Sequence, residues 1–225
     1  MKLLLTKKQL YIHNQNILQI KKKWNPQYES YILGIKNNYY ILNTQIIVSN
    51  INKSLIFIRQ NSLNKNTIYL FINKLYIKIF KEILINNNVY IQTRWIKGTL
   101  TNWINNKLNL VRKNRNIYIN GYIKGKHTKL NILHKIPECI FLQTPFKNVA
   151  IIKEAYKLKI PIISFISVTD HYIQANLITY PIVLNNKSNY LLNTLYNLIL
   201  NNIKLGELLK YKNIYKLYQI LKNIK

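Results

Sequence analysis

Four histidines, one cysteine and six carboxylates are all the imidazole, thiol and acid groups that 225 residues offer for chemistry. His13, His127, His134 and His171 are scattered without ligand spacing, so no metal site is expected. Asp170 and His171 are adjacent, but neighbouring side chains on a loop point apart, and no G-x-S-x-G nucleophile motif accompanies them. Glu154, with Lys153 and Lys157 beside it, reads as a solvated helical ion pair and not as a general base. The run Gly121-Tyr-Ile-Lys-Gly125-Lys126-His127-Thr128 approaches a phosphate-binding loop. Only three residues separate its glycines, however, and His127 stands where a hydroxyl is needed. Five glycines in the whole chain leave no dinucleotide fingerprint, and the lone Cys139 excludes both an internal disulfide and a thiolate metal cluster. No catalytic residue, cofactor or small-molecule substrate is expected, and a reducing compartment fits.

What the chain has in abundance is cation. Lysine and arginine total 34 against 6 acids, a formal net charge of +28 that calls for a polyanionic partner. Hydrophobic content of 48% argues against a disordered basic tail and for a packed domain with a basic surface. Asn, Ile, Lys and Tyr dominate while Gly, Pro and Ala are scarce, as an AT-rich genome would dictate. Some of the lysines therefore reflect codon drift, and the ratio of bases to acids is the safer signal. Lys and Arg neutralise phosphates, and Trp, Tyr and Arg planes stack on unpaired bases, so RNA is the leading ligand. Two rival readings are an enzyme on a phosphorylated substrate, which would need convergent acids or a glycine loop, and a generic DNA- or membrane-surface binder. No apolar run approaches the roughly eighteen residues that cross a bilayer. The first ten residues lack the apolar stretch and cleavage site of a signal peptide.

The elements alternate. Tyr31-Ile32-Leu33 and Tyr39-Tyr40-Ile41-Leu42 flank Lys36-Asn37-Asn38 and predict a hairpin. Ile47, Ile51, Leu55 and Ile58, behind a cap at Asn43 or Thr44, predict a helix. Residues 67–72 predict a strand, followed by a helix on the face of Leu75, Ile79 and Ile83. Then come a strand at 139–142, a helix at 149–158, a doubly buried strand at 161–168 and a short run at 177–182. Leu191, Leu195 and Leu198 mark a helix, and Leu205 to Leu221 a second, basic one over about 203–225. This grammar predicts a single α/β domain, 1–225, with a largely parallel sheet between helices and a basic excursion at about 104–136.

Three blocks, in order, carry a family resemblance. Lys23-Trp24-Asn25-Pro26 followed by Tyr31-Ile32-Leu33-Gly34 resembles the opening signature of the S-two family of small-subunit ribosomal proteins. Arg94-Trp95-Ile96-Lys97-Gly98-Thr99-Leu100-Thr101-Asn102-Trp103 resembles the family's R-W-L-G-G-T-L-T-N run. Lys153-Glu154-Ala155 with Leu158 and Ile160-Pro161 resembles its late K-E-A-x-x-L-x-I-P junction, and Tyr180-Pro181 follows. The resemblance implies a flavodoxin-like three-layer domain with an N-terminal β-hairpin and a shortened helical-hairpin arm. It implies a structural role on the solvent side of the small subunit, near the messenger exit, with small-subunit rRNA and neighbouring small-subunit proteins as partners and no membrane. Lys97 replaces the first glycine of the family's pair, and Thr144 and Ser167 replace its usual late acids.

On that resemblance Arg94, Lys97, Thr99 and Asn102 either meet rRNA or form a capped turn packed on their own sheet. A helix N-terminus near Thr99 to Thr101 would offer free backbone N–H groups to a phosphate, which tilts Arg94 and Lys97 toward RNA. Lys21, Lys22 and Lys23, together with Arg112, Lys113 and Arg115 of the arm, are further RNA candidates. Trp24, Pro26, Gly34, Trp95, Gly98, Trp103 and Pro161 are assigned structural roles. An organelle ribosome is expected, a plastid of apicoplast type ahead of a mitochondrion on the wording Leu100-Thr101-Asn102-Trp103. The cytoplasm of an AT-rich bacterium is the alternative.

Overall fold

The computed structural model describes residues 4–12, 17–20, 25–36, 39–80, 88–93, 95–105, 135–168, 175–184 and 189–223. A short helix α1 (Lys7–Ile12) and strand β1 (Ile17–Ile20) precede the Asn25-Pro26 pair, whose local chemistry starts a 3-10 turn, Pro26–Tyr31. The Asn25 side chain accepts from the Gln27 N–H at 3.1 Å, and Pro26 fills the first turn position, where a missing N–H costs nothing. The Asn25 N–H donates to the Val168 carbonyl at 3.0 Å and ties this block to the far end of the domain.

Strands β2 (Ile32–Lys36) and β3 (Tyr39–Leu42) form the expected hairpin, and β1 adds to β3, giving an antiparallel sheet of order β1-β3-β2. Asn43 caps α2 (Thr44–Leu63) by accepting from the N–H groups of Gln45 and Ile46. The predicted stripe Ile47, Ile51, Leu55 and Ile58 is fully buried.

The main sheet contains β4 (Ile68–Phe71), β5 (Val89–Gln92), β6 (Cys139–Leu142), β7 (Ile162–Ile166) and β8 (Tyr180–Val183). All pairings are parallel, in the order β5-β4-β6-β7-β8. Every residue of β4, β6 and β7 is buried, which is what a sheet covered on both faces requires. Register shows what covers each face. Leu70, Phe141, Ile163 and Tyr180 are lateral partners on one face, where Tyr180 stacks on Phe57 of α2 at 4.9 Å. Tyr69, Ile140 and Ile162 share the other, where the Tyr69 ring meets Trp95 edge-on at 5.7 Å. The first face is covered by α2 and the long α4 (Asn189–Asn223), the second by α3 (Val149–Lys157) and the segment after β5. This is the flavodoxin-like α/β arrangement that the sequence predicts.

Two local expectations differ from the structure. The segment after β4 is a 3-10 helix, Lys74–Phe80, and its inward face carries Tyr76 and Phe80, while Leu75 is 74% exposed. The deciding contact is aromatic: Tyr76 and Phe80 pack on buried Tyr196 of α4 at 4.6 and 5.7 Å. Ile83, the last member of the predicted face, lies outside the described residues. The turns beyond Leu205 do not begin a second helix but continue α4, running straight through Gly206. That glycine is there for contact: a Cβ on it would come within 2.6 Å of the Arg59 carbonyl oxygen and 2.7 Å of Ser62 Cβ. Beside it the Ser62 hydroxyl donates to the Ile203 carbonyl at 2.8 Å, fastening α2 to α4.

Alanine improves helix propensity by about 1 kcal/mol over glycine, but a Cβ pressed this closely on main-chain atoms lies at the upper end of the about 1–3 kcal/mol that overpacking costs. Gly206→Ala is therefore expected to lower the melting temperature by several degrees, and an unchanged or raised melting point in a thermal scan would contradict the close helix contact.

Candidate nucleic-acid interface

The run after β5 folds as a compact loop around one carboxylate. Glu154 projects from α3 beneath the loop and is only 8% exposed. Its Oε1 accepts from the Gly98 N–H at 2.7 Å and from the Trp95 indole Nε1–H at 3.2 Å; its Oε2 accepts from the Leu100 N–H at 3.0 Å. The solvated ion pair expected at Glu154 is thus replaced by a buried, charge-assisted acceptor of three N–H groups. The reason is tertiary, because its donors lie more than fifty residues upstream in the chain.

Short-range bonds complete the loop. The Thr99 hydroxyl and N–H both donate to the Ile96 carbonyl, the Asn102 N–H donates to the Gly98 carbonyl at 2.9 Å, and the Trp103 N–H donates to Leu100 at 3.3 Å. Gly98 has φ of +84°, so the glycine requirement of the family's pair falls on this position, and Lys97 has no such constraint. Of the amides at Thr99 to Thr101 that sequence reasoning offered to a phosphate, that of Thr99 goes to the Ile96 carbonyl and that of Leu100 to Glu154, and the neighbouring amides of Gly98, Asn102 and Trp103 go to Glu154, Gly98 and Leu100.

Lys97 and Asn102 are exposed and Thr99 is half-buried on one short loop. Trp95 and Trp103 are half-buried and pack against the core at its two ends. Pro26 starts the turn already described, and Pro161 immediately precedes β7, its carbonyl accepting from the Ile140 N–H at 3.1 Å. Gly34 borders the register shift between β2 and β3, and a Cβ there would meet nothing within 4 Å. Lys21, Lys22, Lys23, Trp24, Arg94, Arg112, Lys113, Arg115 and nearly all of the 104–136 arm lie outside the described residues, as do the four histidines, Asp170 and the Gly121 loop.

Sequence reasoning missed Glu154, although it quoted the motif containing it. The signal was its rarity, since an acid kept among so few invites the question of what it holds. Glu138 has a similar task. Its carboxylate meets the N–H and hydroxyl of Thr67, and its own N–H donates to the Thr67 carbonyl at 3.0 Å, joining the starts of β4 and β6.

In an open parallel sheet, ligands enter where the strand order reverses, outside the carboxyl ends of the strands. Here that point lies between β4 and β6, and the chain bridges it itself: Gln143 Oε1 accepts from the Asn73 N–H at 2.6 Å. A cavity of about 10 Å³ between the sheet, α2 and α4, walled by Ile51, Leu55, Phe141 and Phe165, has room for no more than one water. Cys139 is buried in β6, and burial pushes its thiol up to about 12, which withholds the thiolate. Among the described residues no helix is long and apolar enough to cross a membrane, and no His, Cys, Asp or Glu group could hold a metal ion.

Residues 14–206 match the family model described as ribosomal protein S2. The chain belongs to that family. Within it, small ribosomal subunit protein uS2 of Ureaplasma parvum serovar 3, from two strains, is 28% identical over 192 residues, covering 74% of this chain and 54% of that protein. The uS2 of Ureaplasma urealyticum serovar 10 is 27% identical over 192 residues, covering 74% and 53%. The chain therefore spans about half the length of the curated relatives it matches. In this S2-family chain, Glu154 belongs to the K-E-A block and its three donors to the R-W-I-K-G-T-L block, so two separate stretches of family wording meet in one cluster of hydrogen bonds.

Replacing one carboxylate oxygen of Glu154 by an NH₂ sets a donor against a donor. Glu154→Gln is expected to cost about 2–4 kcal/mol, since hydrogen bonds to charged groups contribute about 1.5–3 kcal/mol each. Chemical denaturation checks this. A midpoint equal to that of the unaltered chain would show that the loop does not depend on the carboxylate.

Proposed function

We propose that this chain is a structural constituent of the small ribosomal subunit that binds its rRNA and neighbouring small-subunit proteins, and that it is not an enzyme. The observation that carries the reading is S2-family membership over residues 14–206 in a chain whose 34 basic residues face only 6 acids. A surplus of this size is compatible with a compact domain when phosphates neutralise it. Local bonding supports this: the switch-point crevice is bridged by Gln143 and Asn73, buried Glu154 is engaged with the Gly98 and Leu100 N–H groups, and exposed Glu138 with that of Thr67. Lys97, Thr99 and Asn102, with Arg94 beside them in sequence, form the loop we assign to rRNA. Lys21 to Lys23 and Arg112, Lys113 and Arg115 extend the same basic character. Trp24, Pro26, Gly34, Trp95, Gly98, Trp103 and Pro161 serve the scaffold. The single domain carries its basic arm at about 104–136.

The cell compartment has two readings. The AT-driven composition and the wording Leu100-Thr101-Asn102-Trp103 support an organelle ribosome, a plastid ahead of a mitochondrion. The Ureaplasma relatives support a bacterial one.

A tagged copy expressed in its native cell is expected to co-sediment with small ribosomal subunits in a sucrose gradient. It should leave them only when salt is raised, because phosphate neutralisation releases counterions. Recovery of the tag at the top of the gradient, with small subunits migrating below it, would overturn the assignment.

A further inference from the structure

We propose that Glu154 is a positioning residue for RNA binding: a built-in anion that occupies the N–H nest of the Trp95–Leu100 loop and thereby fixes Lys97 outward, toward a phosphate of the rRNA. The inference rests on the ribosomal reading above and deepens it. Three N–H donors from separate residues converge on one buried carboxylate at 2.7 to 3.2 Å, a geometry in which backbone amides bind anions. With the nest filled from inside, an RNA phosphate has no access to these amides and must be met by side chains. The loop offers Lys97 and Asn102, both exposed, at the tip of a turn whose shape is set by Gly98 at φ +84° and by the bond from the Asn102 N–H to Gly98. Without the carboxylate, three donors lose their acceptor, the turn opens, and the cation at its tip no longer has a fixed direction. Glu154 touches no RNA in this account. It acts entirely through the loop.

The consequence is a coupling that a purely stabilising residue would not produce. Each phosphate contact contributes about 0.7–0.9 to the slope of log affinity against log salt, which at 0.1 M salt corresponds to about five- to eightfold in affinity. For the full-length chain binding small-subunit rRNA, Lys97→Ala and Glu154→Ala are each expected to reduce the slope by about one and weaken binding about five- to eightfold at 0.1 M. The double variant should be no weaker than either single, because both remove the same contact. Acetate in place of chloride at equal ionic strength should refill the nest and restore binding to Glu154→Ala but not to Lys97→Ala. If Glu154→Ala does not fold, Glu154→Gln replaces it in the same cycle.

Additive losses, an unchanged salt slope in the Glu154 variant, or a silent Lys97→Ala would each overturn the inference while leaving the ribosomal reading intact. That reading fails separately, and takes this inference with it, if the unaltered chain binds small-subunit rRNA no better than an unrelated RNA of equal length.

Discussion

A single carboxylate sets the shape of the loop that follows β5. Glu154 sits on α3, on the covered side of the sheet, and draws in the indole of Trp95 and the amides of Gly98 and Leu100. Removing a carboxylate from water is costly unless hydrogen bonds replace its hydration, and three N–H donors do that here. In return the loop acquires one shape: Trp95 lies edge-on to Tyr69, Leu100 is buried, and Lys97 stays at the surface. The α3 helix and the loop that follows β5 are thereby joined through one side chain. Glu138, itself exposed, makes a comparable tie at the opposite ends of β4 and β6 through Thr67, so two of the six acids accept from backbone N–H groups.

The parts of the fold that local rules govern were legible in the sequence. Asn43 and the stripe from Ile47 to Ile58 announce α2 because capping and helical period act within a few residues. The continuous apolar runs at 139–142 and 161–168 announce strands covered on both faces, and the alternation of strand and helix gives the parallel order. Tertiary contact decides the rest. Glu154 looked solvated because its sequence neighbours are lysines, whereas its true partners arrive from a distant loop. The two leucine patterns on either side of about residue 203 suggested two helices, but Gly206 admits the Arg59 carbonyl of α2 and one helix runs on. Tyr76 and Phe80, not Leu75, face inward because Tyr196 lies opposite them. Lys65 and Lys159 take positive φ where α2 and α3 end, a place where glycine would be usual and which a glycine-poor chain fills with lysine. The family wording marked out this loop in the chain, but the Thr99 and Leu100 amides that sequence reasoning took as free are engaged, with the Ile96 carbonyl and with Glu154.

These features make a coherent division of labour. Glu154 turns inward to hold backbone, the sheet's switch point is bridged by Gln143, and the cysteine is sealed in β6. Among the described residues the lysines are exposed or half-buried. The same α/β arrangement elsewhere supports nucleotide chemistry, and the difference lies in what occupies the strand ends and not in the architecture.

Amide hydrogen exchange at Gly98 and Leu100, in the unaltered chain, tests the central claim most directly. Both amides are expected to be strongly protected relative to an unstructured chain and to lose that protection together when Glu154 is replaced by alanine. Exchange at the unprotected rate in the unaltered chain would contradict the account, as would protection that survives the replacement, because either result would mean that something other than this carboxylate holds the loop.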